Sequence, residues 1–314
     1  MEYPEDYFGD NDFSSDEKEI KSKIEEYKKI VSNGEVYTSL EIIEDLIHQC
    51  LEFDYNEDGL FFTEKLLEIS PYNSELWQLK GNFCNNLLKF EDAYKCFNTS
   101  LSLNPFDVDT LLNKAHTEDS LDLNDDAINT LRTALDIDPQ NEEIYFTLGT
   151  IYERDGNYNE AIKYLIKATE LDEEFSEAFY ELGFCYENLD DFGNALNTYD
   201  KFLDLEPYSA SGWYNRGIVL IRNGKYEKSI DSFDLAITIK EDFANAWFNK
   251  GIALANLGKL NQALSVFKHA SELEKNDETI FFNIGQVYED QDDLVNAIKY
   301  FSKREGHLGA LRTI

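Results

Sequence analysis

Basic residues are scarce in this chain. Only 28 lysines and arginines stand against 63 aspartates and glutamates, leaving a net charge of −35. That surplus repels phosphate backbones and anionic lipid, which argues against nucleic-acid binding and membrane association. It favours dispersal in water and attraction to basic partners. Proline is also rare, at five in 314 residues, so little interrupts helices. No apolar run approaches the ~18 residues that span a bilayer. The first residues, MEYPEDYFGDNDFSSDEKE, lack the basic and apolar regions of a secretory leader. These absences predict a cytoplasmic protein without membrane insertion.

Reactive constellations are missing too. The four cysteines, Cys50, Cys84, Cys96 and Cys185, form no CxxC and fall in helical patterns, which predicts reduced, largely buried thiols. His48, His116, His269 and His307 have no metal-binding spacing. Glycine-rich phosphate loops and nucleophile elbows are absent. Carboxylates are plentiful, and their placement predicts solvated helix faces. No catalytic residue, cofactor or metal is assigned, and the chain reads as non-enzymatic.

What is abundant is aromatic: 22 Phe, 19 Tyr and 3 Trp. The tryptophans, Trp77, Trp213 and Trp247, lie at multiples of 34 residues from one another. Tyr145, Phe179 and Phe281 share their phase, and Leu111 fills the remaining slot. Four residues later come Gly81, Gly149, Gly183, Gly217, Gly251 and Gly285, with Ala115 in the gap. Twelve further on come Ala93, Ala127, Ala161, Ala195, Ser229, Ala263 and Ala297. Pro71, Pro105, Pro139 and Pro207 keep the same period. Small residues recurring on two helices predict close approach of those helices. Within a unit, Ala161, Leu165, Ala168 and Leu171 share one helical face. Turns such as Asp155-Gly156-Asn157 and Asn223-Gly224-Lys225 permit a left-handed helix cap.

The order W-x2-L-G-x2-Y, then A-x3-F, then P resembles the tetratricopeptide repeat. Tyr145, Leu148, Gly149, Tyr152, Ala161, Leu165 and Ala168 carry it in one unit, and Phe179, Leu182, Gly183, Tyr186, Ala195, Tyr199 and Pro207 in the next. A third copy is Trp247, Gly251, Leu254, Ala263, Phe267 and Ala270. The resemblance implies an all-α fold, a right-handed α-solenoid of antiparallel helix-turn-helix hairpins. Seven units are expected at 74–107, 108–141, 142–175, 176–209, 210–243, 244–277 and 278–311. A degenerate unit, 40–73, precedes them, with Ile47 and Gly59 at its small-residue positions. Residues 16–39 are expected to form a capping helix and link, with Ile20, Ile24, Tyr27 and Val31 on one face. Residues 1–15 are expected to be a disordered acidic tail. Near the other end Arg304 stands where a small residue belongs, and Gly306 and Gly309 follow, so the last helix is expected to fray.

Asp54, Asn56, Asp58 and Gly59 resemble the start of a calcium loop, but Lys65 stands where the bidentate glutamate belongs. Metal binding is therefore not expected there.

In tetratricopeptide repeats the first helix of each hairpin, helix A, lines a concave groove where peptides bind. By that resemblance Phe146, Tyr180, Tyr214, Phe248 and Phe282 face the groove, one per unit. Asn113, Asn215, Asn249 and Asn283 occupy the next position, with Thr147 and Glu181 between. An asparagine amide pairs with a peptide unit without reading its side chain, and aromatics supply apolar area. Chaperone-binding members clamp a terminal carboxylate with basic residues, but the matching positions here hold Gln78, Asn82, Leu112, Phe146, Thr150 and Tyr180. The expected function is a scaffold holding a protein or peptide partner. A self-associating assembly factor, or a regulatory subunit of a separate enzyme, is the alternative.

Overall fold

The computed structural model describes residues 13–34, 39–275 and 277–311, with side chains over 17–302 of these. Among the described residues the regular structure is entirely α-helical. Helices α1 (Phe13–Ser32), α2 (Leu40–Glu52) and α3 (Asn56–Ile69) come first. Hairpins then follow: α4 (Ser74–Asn86) with α5 (Phe90–Leu103), α6 (Val108–Ser120) with α7 (Asn124–Ile137), and α8 (Glu142–Arg154) with α9 (Tyr158–Leu171). Next are α10 (Ser176–Asn188) with α11 (Phe192–Leu205), and α12 (Ala210–Arg222) with α13 (Tyr226–Ile239). The last are α14 (Ala244–Asn256) with α15 (Leu260–Leu273), and α16 (Glu278–Asp290) with α17 (Leu294–Leu311). The chain divides into two compact units, residues 1–147 and 148–314.

The A helices start where a side chain can cap them. Asn73, Asp107, Ser209 and Asp277 each accept a backbone N–H from the first turn of α4, α6, α12 and α16. Between helices A and B one residue always takes a left-handed backbone: Asp54, Leu88, Asp122, Gly156, Asp190, Gly224, Gly258 and Asp292, 34 residues apart. The next N–H reaches back to a carbonyl of the helix just ended, as Lys89 N does to Cys84 O at 2.8 Å and Asp191 N to Tyr186 O at 3.0 Å.

At the glycine phase the two helices do approach closely, and a large helix-B side chain fills the contact. A Cβ built on Gly81, Gly217, Gly251 or Gly285 meets the ring of Phe97, Phe233, Phe267 or Phe301, sixteen residues on, at 2.4–2.5 Å. Gly183 faces Tyr199, and Gly149 faces Leu165, in the same way. Glycine thus makes room first for a large helix-B side chain; at Gly149 the Ala161 carbonyl of helix B comes next, at 3.5 Å. The helix-B alanines are buried in their own right.

The leading aromatic also ties down the preceding loop. Trp77, Trp213 and Trp247 donate their indole N–H to the carbonyls of Pro71, Pro207 and Glu241, each at 2.9 Å. Tyr145 does the same to Pro139 at 3.3 Å.

Lysines and arginines link successive helices. Lys80 pairs with Glu64 at 2.9 Å, Arg216 with Asp200 at 2.6 Å, and Lys250 with Asp234, each sixteen residues back. These three ties use cations that the chain has few of, 28 against 63 carboxylates.

At the start of the chain, Ile20, Ile24 and Val31 of α1 are buried with Ile43, Leu46, Ile47 and Phe62. The expected tail overlaps α1 at residues 13–15; residues 1–12 lie outside the described residues, as do 35–38 of the link. At the other end α17 runs through Gly306 and Gly309 to Leu311. Two glycines cost a helix roughly 1 kcal/mol each relative to alanine, which weakens it without ending it.

Candidate protein-binding face

In the second unit the A helices α10, α12, α14 and α16 neighbour one another in turn. Their inward turns pack against helix B. Tyr180 meets Tyr199 and Phe202 edge-on at 6.1 and 5.1 Å. Tyr214 sits 6.0 Å from Phe233 and 4.9 Å from Phe243. Phe248 lies against Phe267 at 5.6 Å, and Phe282 against Phe301 at 5.7 Å. All four rings are half-buried, with one edge to core and one to solvent.

The asparagines of this row hold the row itself. Asn215 Nδ2 donates to the Tyr180 phenol at 2.8 Å, and Asn249 Nδ2 to the Tyr214 phenol at 3.2 Å, one repeat back. Asn249 Nδ2 also donates to the Asn245 carbonyl at 2.9 Å. Where tyrosine gives way to Phe248 the ladder stops, and Asn283 Nδ2 turns to the Thr279 carbonyl of its own helix at 2.8 Å. Asn113 and Phe146 belong to the first unit, each half-buried on its A helix. Within the second unit, Tyr180, Tyr214, Phe248 and Phe282 with Asn215, Asn249 and Asn283 follow one another along successive A helices.

Not every carboxylate lies on a solvated face, contrary to the sequence expectation. Glu118 is 1% exposed, accepting from Thr130 Oγ1 at 2.7 Å and pairing with Lys114 at 3.3 Å. On α10, burial pushes the Glu181 carboxyl up, and the charge of Glu153 on α8 adds to it. Glu153 is raised by its own burial, which Arg154 partly offsets. Burial likewise raises Glu187, while Arg222 and Tyr199 pull it back down. Glu181 was visible in sequence as the acid standing in the asparagine row; its partial burial was not.

A carboxyl raised on folding contributes stability that is present below its ordinary value, 4.5 for glutamate, and lost as pH rises through the folded value. Glu181→Gln is therefore expected to raise Tm at pH 7, with the gain closing as pH falls toward 4. Equal melting temperatures for variant and wild type at both ends of a pH series would remove this account.

The calcium-like residues are otherwise engaged. Asp54 is the left-handed turn residue between α2 and α3. Asn56 Oδ1 accepts from Asn86 Nδ2 at 2.9 Å, and Asp58 pairs with Lys28. Among the described residues no three His, Cys, Asp or Glu side chains gather to hold a metal, and no helix is long and apolar enough to cross a membrane.

Models of the tetratricopeptide repeat match residues 124–182, 176–209, 198–231 and 244–277. No curated protein sequence matches the chain. Among solved structures, the C-terminal part of a TPR repeat-containing protein from Cytophaga hutchinsonii is similar. It is 17% identical with a TM-score of 0.66, covering 76% of this chain and 98% of that one. A tetratricopeptide repeat protein from Parabacteroides merdae is 18% identical with a TM-score of 0.56, covering 80% and 99%. YrrB, titled a TPR protein with an unusual peptide-binding site, is 22% identical with a TM-score of 0.50, covering 59% and 95%. At such identities the likeness speaks to fold.

Proposed function

We propose that this chain, a tetratricopeptide-repeat protein, is a non-catalytic scaffold that holds an extended polypeptide along the A helices of its second unit. The observation that carries this reading is the continuous row of half-buried rings and asparagines from Tyr180 to Asn283. Rings fixed against helix B need little further ordering on binding, so their apolar edges favour association. The asparagine donors are largely committed. With both N–H groups of Asn249 bonded, its amide oxygen is what it offers a ligand, which suits the N–H of an extended backbone. The partly buried acids Glu153 and Glu181 favour a partner that brings positive charge to that end of the row.

Asn283 gives the cleanest test, because its amide N–H bonds only a carbonyl of its own helix. A peptide array probed with the wild-type chain should yield bound segments. Asn283→Ala is expected to weaken them about fivefold, the worth of one hydrogen bond of ~1 kcal/mol, with Tm nearly unchanged. Segments bound equally by both proteins would place the binding surface elsewhere.

A second reading, association between copies, draws on α17. Leu294, Val295 and Ile298 there are 60%, 80% and 68% exposed. Sedimentation as a monomer across the micromolar range would remove it.

A further inference from the structure

Two cysteines occupy positions that meet across the hairpin. Cys84 is on α4 and Cys96 on α5, and adding multiples of 34 to both gives pairs that touch in other repeats. Thr130 donates to Glu118 at 2.7 Å. Tyr152 stacks on Tyr164 at 5.4 Å between ring centres, and Tyr288 on Tyr300 at 5.6 Å. In the Cys84–Cys96 hairpin the helices are close, because Gly81 leaves only enough space for the Phe97 ring one residue beyond Cys96. Both thiols are buried, 2% and 4% exposed, at these facing positions of α4 and α5.

We propose that Cys84 and Cys96 are a redox site, a dithiol that a peroxide converts to a disulfide stapling α4 to α5. The Cys84 thiolate attacks one oxygen of hydrogen peroxide, giving a sulfenic acid and hydroxide. The Cys96 sulfur then attacks the Cys84 sulfur, its proton leaving with the sulfenic oxygen as water. The proton first lost by Cys84 neutralises the hydroxide. Two thiols are oxidised, one peroxide is reduced, and two waters form. The oxidant is water-sized, which suits a pair that is nearly but not wholly covered.

The other two cysteines provide the contrast. Cys50 and Cys185 have no thiol neighbour at this spacing, and burial pushes each up to about 12. The Cys84 thiol is instead lowered, first by the bond from Cys96 and then by the charge of Lys80 against the opposing effect of burial. A lower value raises the thiolate fraction, the nucleophilic form.

The test exposes the whole folded chain to hydrogen peroxide, quenches it, and alkylates the remaining thiols after denaturation. Two of the four thiols should be lost and then recovered with reductant. Peptide mapping should show Cys84 joined to Cys96. In Cys84→Ser, no reductant-recoverable intramolecular loss should occur. The wild-type map decides the matter even if that variant folds poorly. Retention of all four thiols, linkage through Cys50 or Cys185, or over-oxidation of Cys84 in place of linkage would overturn the proposal.

Discussion

Phe233→Ala is expected to lower stability by about 3–5 kcal/mol, and Gly217→Leu alone by about 1–3 kcal/mol. Combined, the two should lose clearly less than their sum. Phe233 is wholly buried on α13, and its ring is what a Cβ at Gly217 on α12 would strike, at 2.5 Å from Cε1 and 2.8 Å from Cζ. Alanine at 233 empties that space, and Tyr214 loses a ring neighbour at 6.0 Å. Leucine at 217 projects into the same space from the other helix. Each single change is therefore harmful for the opposite reason, one by void and one by overlap. The double variant restores part of the packed volume and gains helix propensity over glycine. Denaturant unfolding of the four proteins, followed through Trp213 on the same helix α12, measures the coupling. Simple additivity would mean that the two residues do not share the space.

That pair also marks how much of the molecule was legible in its sequence. The 34-residue phase of Gly217 was plain, and so was that of the large helix-B residue at Leu165, Tyr199 and Phe267, the position Phe233 shares. Which residue the glycine serves was not, since a small residue on each helix suggests mutual contact just as well. The turns show the same division. Gly156, Gly224 and Gly258 announce a left-handed backbone, but Leu88 and four aspartates adopt it too. There the bond from the next N–H back into the helix, at 2.8–3.0 Å, holds the turn, so glycine is favoured without being required.

The candidate site was legible as a row and illegible as a network. A single repeat shows an aromatic followed by an asparagine. That Asn215 reaches back 35 residues to Tyr180 depends on how successive A helices sit side by side. The bond changes what a substitution means. Asn215→Ala would strip a partner from Tyr180 and from the buried Tyr199 phenol, so lost binding and lost stability would be confounded. Asn283, beyond the last tyrosine of the row, escapes that link.

Arg222→Met is expected to destabilise the chain by about 1–3 kcal/mol at pH 7, with the loss shrinking on acidification. Arg222 at the end of α12 donates to Glu187 Oε1 of α10 at 3.0 Å and to Asp190 Oδ1, in the turn after α10, at 2.6 Å. Glu187 is the buried member: its side chain is 12% exposed, and it also accepts from the Tyr199 phenol at 3.4 Å. The Arg222 side chain is 37% exposed, so water screens the pair and the loss falls below the ~3–5 kcal/mol of a deeply buried one. Burial already raises the Glu187 carboxyl, and removing the cation raises it further. Its stability contribution is full below the ordinary value of 4.5 and is lost as pH rises through the folded value, so the variant recovers toward wild type in acid. Glu187→Gln added to Arg222→Met should recover most of the loss at pH 7, because no buried charge is then left without its partner. Arg222 also lies over the Phe192 ring at 5.4 Å, and this packing predicts a loss independent of pH. A deficit of equal size at pH 4 and pH 8, unrelieved by Glu187→Gln, would assign the role of Arg222 to that ring.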